Sequence, residues 1–185
     1  IAVVMPGVCR SWYTDTVYGA NYFTFITEEL PRICHDLFPR MSRKREETFV
    51  AGLSMGGYGA YAIALTYPET FSYAGGLSGA YLPATRLGQA NSTYWTDIFG
   101  TEEDFIGGPN DLIALATRRL EEYKADPENH PIPELYMWCG TEDFLYRNKE
   151  RLFLSCPAFF PGKVMETIDD VWNIIISNRI SLVIK

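Results

Sequence analysis

The sequence predicts an α/β fold in which helices cover both faces of a mostly parallel sheet. Short apolar runs of strand length alternate along the chain with longer segments whose apolar residues recur at helical spacing. Parallel neighbours need crossover connections, and right-handed crossovers place helices outside the sheet. With 185 residues, of which 47% are hydrophobic and 21% charged, the chain is long enough for one compact domain.

The first strand and helix are predicted near the amino terminus. Ala2–Met5 is a short apolar run stopped by a Pro-Gly pair, which is typical of a buried strand. Apolar residues then fall at helical spacing from about residue 21 to residue 38. Because proline lacks an N–H and fixes φ, Pro31 is expected to kink or restart this helix.

Two further strands flank an alanine-rich helix. Thr48–Leu53 is predicted as the second strand and Phe71–Leu77 as the third. Between them, Gly57–Tyr67 has good helix formers and is closed by a proline.

The second half of the predicted domain begins with a long excursion. Residues 78 to about 109 mix turn residues with aromatic ones and indicate a long loop of the kind that often carries function. A helix is predicted over Asp111–Lys124, a strand over Leu135–Cys139 and a helical stretch over Tyr146–Leu154.

Charge and hydropathy argue against two classes of partner. The net charge is -7, and the basic cluster Arg40–Arg45 runs directly into two glutamates, so we expect no nucleic-acid partner. The sequence contains neither an apolar run of 18 residues nor a basic leader, so we expect no membrane contact and a cytoplasmic location. The oligomeric state is not predicted.

The cysteines give no sign of a disulfide framework or a metal site. The four cysteines lack paired spacing, and we expect them to be small buried residues (Cys9, Cys34, Cys139 and Cys156). No metal and no organic cofactor is predicted.

The strongest chemical signal is a Gly-x-Ser-x-Gly pattern around Ser54. It stands where the predicted second strand ends and a small-residue helix begins. In such a turn the serine is strained and the glycines two residues to either side must lack side chains, so that the hydroxyl projects at the carboxyl edge of the sheet. The competing interpretation is that Ser54 only caps the following helix.

Five blocks carry a resemblance to a known family. They occur in family order and are Val3-Val4-Met5-Pro6, Trp12–Thr16, Gly52–Gly59, Leu77-Ser78-Gly79-Ala80 and Trp138–Tyr146. On these blocks the chain resembles the esterase D and tributyrin-esterase-like members of the α/β-hydrolase superfamily over about residues 1–154. The resemblance implies a three-layer sandwich with a mostly parallel central sheet. It also implies hydrolysis of short-chain acyl or aryl esters, with a small ester as the substrate.

The resemblance assigns roles to three residues. It makes Ser54 the nucleophile, Met55 the donor of one oxyanion-hole N–H, and Asp143 the acid of a Ser-His-Asp triad. Asp143 is also favoured by position, because it follows a predicted parallel strand and should emerge at the same edge as Ser54. An ordinary loop or helix-capping aspartate is the alternative.

Trp12 and Tyr13 are weaker candidates. They follow the first predicted strand and would line a substrate pocket or shape the oxyanion region. Plain core packing is an equal alternative for aromatic residues beside a strand end.

The pattern breaks at the general base. A serine hydroxyl needs a base to remove its proton, and in this superfamily a histidine after the acid supplies it. The only two histidines, His35 and His130, both precede Asp143, and neither is predicted to be the base.

Both ends of the chain depart from the family pattern. Ile1 opens inside a strand-like run, so we expect an N-terminally truncated fold in which the second oxyanion donor lies upstream. Residues 155–185 do not match the family and carry an amphipathic apolar stripe. We therefore expect a partial α/β-hydrolase domain over 1–154 and a divergent segment over 155–185.

Three functional hypotheses follow. The first is a serine carboxylic-ester hydrolase whose 185 residues are catalytically incomplete. The second is a non-catalytic relative that binds a ligand or partner, and the missing histidine favours it. The third is an assembly module, which rests only on the stripe in the tail.

Overall fold

The computed structural model describes residues 2–81, 83, 87, 93–147 and 152. Within them lies a three-stranded parallel sheet whose strands follow chain order, β1 (Phe49–Leu53), β2 (Tyr73–Leu77) and β3 (Glu134–Trp138). These bounds agree with three of the predicted strands to within two residues. The helices are α1 (Tyr22–Thr24), α2 (Leu30–Leu37), α3 (Met55–Thr66), α4 (Thr93–Phe99), α5 (Glu102–Phe105) and α6 (Leu112–Ala125).

The three strands end at a common level. Leu53 pairs with Leu77, and Leu77 pairs with Trp138, so the last residues of β1, β2 and β3 lie side by side. The residues that follow them therefore emerge together at the carboxyl edge of the sheet, with β2 in the centre.

Helix α3 forms the centre of the core. All of its residues from Gly56 to Leu65 are buried, because it is apolar around its whole circumference and packs on β1 and β2. Arg119 of α6 donates hydrogen bonds to the carbonyls of Leu65 (2.7 Å) and Thr66 (2.8 Å), which are free at the end of the helix. A guanidinium at a helix C-terminus is favourable, since it faces the negative end of the macrodipole.

The helix before β1 restarts at its proline, as expected. The backbone from α1 continues through a π-helical segment, Phe25–Glu29, and α2 begins at Leu30 with Pro31 in its first turn. A first-turn position suits proline because the N–H that it lacks would have no partner within the helix.

Two predicted elements differ from the structure. Ala2–Met5 forms no strand, and Val3 and Met5 are 50% and 62% exposed. A strand requires a hydrogen-bonded neighbour, and the described residues provide none for this run. The excursion over 78–109 is partly helical, because it contains α4 and α5; Thr101 and Asp104 form a reciprocal capping box that starts α5.

The cysteine prediction holds in part. Cys34 and Cys139 are buried, whereas Cys9 is exposed, and none of these three forms a disulfide. Cys156 lies outside the described residues, as do most of the predicted helix 146–154 and all of the segment 155–185.

Candidate active site

Ser54 occupies a strained turn between β1 and α3. Its φ of 56° and ψ of -114° are uncommon for a residue with a side chain, and such outliers persist only where the surroundings fix them. The fixing contacts involve its backbone. Its N–H donates to the carbonyl of Leu77 (2.9 Å), and its carbonyl accepts from the N–H groups of Gly57 (3.0 Å) and Ala80 (3.0 Å).

The glycines around Ser54 are required by close backbone approach. A Cβ on Gly52 would lie 2.3 Å from the backbone of Gly56, and a Cβ on Gly57 would lie 2.9 Å from the Cα of Gly79. Real Cβ atoms do not approach so closely, so side chains at Gly52 and Gly57 would push α3 away from the sheet. The steric role that the sequence predicted is confirmed at Gly52, where a Cβ would meet the backbone of Gly56.

The hydroxyl of Ser54 is not used to cap α3. Ser54 stands at the N-cap position and is exposed, and its side chain accepts no capping hydrogen bond from any described residue of the helix. Met55 is the first residue of α3, so its N–H belongs to the amide donors that a helix leaves free at its start. A free donor beside an exposed hydroxyl is the arrangement that an oxyanion hole needs.

Asp143 follows β3 and turns back toward β2. Its carboxylate accepts hydrogen bonds from the N–H of Leu145 (2.8 Å), the hydroxyl of Ser78 and the thiol of Cys139. These donors stabilise the charged form and hold the pKa of Asp143 below its usual value, the Ser78 hydroxyl making the largest contribution. The bond to Leu145 also shows the local turn role that the sequence left open for this residue.

Ser54 and Asp143 are separated by one strand. Ser54 follows β1 and Asp143 follows β3, and these strands lie two steps apart, roughly 9–10 Å. In a Ser-His-Asp triad, an imidazole lies between the serine and the acid and is hydrogen-bonded to both side chains.

Both histidines lie toward the opposite, amino edge of the sheet. His130 is exposed and lies four positions before the first residue of β3. His35 on α2 has its Nε2 3.1 Å from the carbonyl oxygen of Ser42 and lines a cavity of about 360 Å³. Thr48 and Phe71, which come just before β1 and β2, line the same cavity. Five-residue strands are roughly 16 Å long, so neither histidine is placed to reach Ser54.

Trp12 and Tyr13 lie in different surroundings, although both have a left-handed backbone with φ near 57° and 59°. Tyr13 is 1% exposed, and its ring covers Gly59, where a Cβ would come within 2.5 Å of the ring. Burial raises the pKa of Tyr13 to about 12. For Tyr13 this burial supports the packing interpretation over the pocket-lining one.

Trp12 belongs to a partly exposed aromatic cluster beside the start of α3. Its ring centroid is 5.6 Å from that of Tyr58, one turn after Ser54, and 5.0 Å from that of Trp95. Its indole N–H donates to the hydroxyl of Tyr94 (3.0 Å). These rings form an apolar surface near Ser54 that also carries an indole N–H and a tyrosine hydroxyl.

Ser78 is the residue of this edge that the sequence did not single out. It follows β2, has a φ of 42°, and contacts Asp143 through its hydroxyl. No local pattern marks such a contact, because its partner lies 65 positions further along the chain. The signals present were its place directly after a predicted strand and its membership of the block Leu77-Ser78-Gly79-Ala80.

The described ranges contain neither a metal-binding cluster nor a membrane-spanning helix. There, no group of three His, Cys, Asp or Glu side chains is arranged to hold a metal ion. In the same ranges, no helix combines the length and apolar character of a membrane span.

Comparison with known proteins gives a family match over most of the chain. A family model described as "Putative esterase" matches residues 1–147. The chain is 35% identical over 162 residues to an acetyl esterase of Caldicellulosiruptor saccharolyticus, covering 83% of the chain and 58% of that protein. It is 30% identical over 159 residues to a diacylglycerol acyltransferase/mycolyltransferase of Mycobacterium avium, covering 76% of the chain and 45% of the relative.

Solved structures agree with the fold. The fluorophosphonate-binding serine hydrolase F of Staphylococcus aureus superposes with a TM-score of 0.65 at 27% identity, over 97% of the chain and 62% of the hydrolase. An S-formylglutathione hydrolase of the same organism gives a TM-score of 0.60 at 28% identity, with the same coverage. The predicted fold is confirmed by these neighbours, and the chain spans about three fifths of their length.

Proposed function

Because the chain belongs to the esterase family whose model matches residues 1–147, we propose that it is the part of a serine carboxylic-ester hydrolase that carries the nucleophile and the acid. One observation supports this above the others. Ser54 is held in a strained strand-to-helix turn, with its hydroxyl exposed and unused for capping. A structure keeps such strain most readily where the conformation serves a reaction.

The proposed chemistry has two steps. The Ser54 oxygen attacks the ester carbonyl carbon while a base removes the hydroxyl proton, and collapse of the tetrahedral intermediate expels the alcohol and leaves an acyl-serine. Water then attacks the acyl group and regenerates the serine. The N–H of Met55 stabilises the oxyanion in both steps, and Asp143 orients the base and stabilises its positive charge.

We propose that these 185 residues do not supply the base. Their histidines are His35 and His130, and each lies toward the amino edge of the sheet, away from Ser54. A complete enzyme would then place an imidazole between Ser54 and Asp143 from another segment.

The proposed substrates are short-chain acyl or aryl esters. The similarity to an acetyl esterase and to an S-formylglutathione hydrolase supports a small acyl group. The apolar surface formed by Trp12, Tyr94 and Trp95 supports an apolar or aromatic group next to the ester.

A non-catalytic relative that binds a ligand or partner is the second candidate. The placement of His35 and His130 is the observation that favours it, since an exposed serine without a base is a poor nucleophile. The third hypothesis, an assembly module, depends on residues 155–185, which lie outside the described residues.

Hydrolysis of p-nitrophenyl acetate separates the candidates. We expect the 185-residue chain to hydrolyse this ester no faster than its Ser54→Ala variant; a clear excess would show that a base is present after all. An extended chain with a family-type N-terminus and a histidine-bearing C-terminal segment should hydrolyse it. Ser54→Ala should then abolish the activity, whereas the control Ser72→Ala, at the other end of β2, should keep it. Activity that survives Ser54→Ala in the extended chain would refute the assignment.

A further inference from the structure

Ser54 and Asp143 are connected by hydrogen bonds to residues at the end of β2. Ser54 and Asp143 follow the two outer strands of the described sheet, so their relative placement depends on the strand between them. Ser78 is the first residue after that strand and lies at the same level as Ser54.

The backbone joins the three strand ends in a stepped series. The N–H of Ser54 donates to Leu77, the last residue of β2, and the N–H of Ser78 donates to Trp138 (2.7 Å), the last residue of β3. The backbone N–H of each serine is therefore hydrogen-bonded to the last residue of the neighbouring strand, β2 for Ser54 and β3 for Ser78. The N–H of Ala80 returns to the carbonyl of Ser54 (3.0 Å), so the segment 77–80 holds Ser54 from both sides.

The side chain of Ser78 completes the series. Its φ of 42° departs from the extended backbone of β2, and its hydroxyl meets the carboxylate of Asp143. Gly79, next in the chain, is packed against Tyr81, where a Cβ would lie 2.2 Å from the ring, so the turn has little freedom to shift. The hydroxyl of Ser78 is therefore presented from a fixed backbone.

We propose that Ser78 is a positioning residue, whose hydroxyl and backbone together fix the carboxylate of Asp143 relative to Ser54. This role rests on the proposed function, because the placement of a carboxylate relative to Ser54 matters for catalysis only if Ser54 is the nucleophile. Ser78 itself does not touch the reacting ester. It acts by keeping Asp143 ionised and aimed along the edge toward the base.

The test is a titration of the Asp143 carboxyl carbon by NMR, with the signal assigned from the Asp143→Asn variant. Ser78→Ala and Ser78→Gly both remove the hydroxyl, but glycine relieves the positive φ whereas alanine retains the strain. Both should raise the pKa of Asp143 toward its ordinary value, because a donor to the carboxylate is lost. The matched control is Ser72→Ala, which removes a buried hydroxyl at the amino end of the same strand and should leave the Asp143 titration unchanged.

One outcome overturns the proposal. If the pKa of Asp143 in either Ser78 variant equals that in Ser72→Ala while circular dichroism shows an intact fold, the hydroxyl does not hold the carboxylate. Repeating the titration in the Ser54→Ala background should give the same dependence on Ser78. Failure of the esterase proposal would be seen as hydrolysis that does not depend on Ser54. Failure of the Ser78 proposal would be seen as an Asp143 pKa that does not depend on Ser78, so the two failures are distinguishable.

Discussion

The two edges of the described sheet differ in packing and in chemistry. At the carboxyl edge, backbone packs directly on backbone around Gly52, Gly57 and Gly79, and the polar side chains of Ser54, Ser78 and Asp143 emerge together. At the amino edge, a cavity of about 360 Å³ lies between α2 and the residues just before β1 and β2. His35 lines that cavity.

The difference shows that a reactive side chain can act only where the fold places it beside its catalytic partners. Imidazoles are the usual bases for serine, yet His35 and His130 lie toward the amino edge, away from the strained turn at Ser54 and from the carboxylate of Asp143. The carboxyl edge has the tight turn, the free amide and the ionised acid. The predictions below test whether this edge is as rigid and as strained as its geometry indicates.

The largest effect is expected at Gly52. Gly52→Ala should lower the free energy of unfolding by roughly 2–3 kcal/mol, because the added methyl group meets the backbone of Gly56 and forces α3 off the sheet. Urea denaturation measures the change. The control is Gly140→Ala, also on the carboxyl side, where a Cβ meets nothing within 4 Å and the change should stay within about 0.5 kcal/mol. Equal losses for the two variants would mean that the edge is not tightly packed.

A smaller effect of opposite sign is expected at Ser54. Ser54→Gly should raise the free energy of unfolding by about 1 kcal/mol, since glycine adopts the positive φ without strain. Ser54→Ala keeps a Cβ and should leave stability within about 0.5 kcal/mol of the parent. Thermal and urea unfolding of the three proteins would decide. If Ser54→Gly is no more stable than Ser54→Ala, the turn holds no strain to release.

The smallest effect is expected from the Asp143 carboxylate. The pKa of Asp143 is lower in the folded chain than in the unfolded one, so its contribution to stability is complete above about pH 5 and declines as the pH falls through the folded-state pKa. Asp143→Asn should therefore flatten the acid side of the stability profile, by less than about 1 kcal/mol because the group is partly solvated. Urea midpoints from pH 7 to pH 2 measure this. Parallel acid limbs in the parent and the variant would show that the folded state does not favour the carboxylate.

The sequence predicted the turn at Ser54 because its determinants are local. A strand, two glycines and a small-residue helix are all adjacent in the chain, and the observed bounds of β1 and α3 differ from the predicted ones by at most two residues. Asp143 was assigned from the resemblance, and its position after a predicted parallel strand supported placement at the same edge. The catalytic roles of both residues stay predictions.

The features that sequence reasoning missed are non-local. Ala2–Met5 has the composition of a strand, but strand formation depends on a neighbour that no local pattern reveals. The contact between Ser78 and Asp143 joins distant positions, and the helices α4 and α5 were hidden among turn residues in the predicted loop. Cys9 was expected to be buried because cysteine usually is, yet its side chain is exposed although the nearby Val8 and Ser11 are buried.

Strands β1, β2 and β3 end side by side. Insertions and deletions should therefore be tolerated differently within the strands and in the loops that follow them. One residue removed from within β2 would reverse the inward and outward alternation of its side chains and move Ser78 out of line with Ser54. One residue added beyond Asp143 would change neither the side-chain alternation of β2 nor the alignment of Ser78 with Ser54. Loops past the strand ends can therefore vary in length without disturbing the positions of Ser54, Ser78 and Asp143, whereas the lengths of the strands themselves remain fixed.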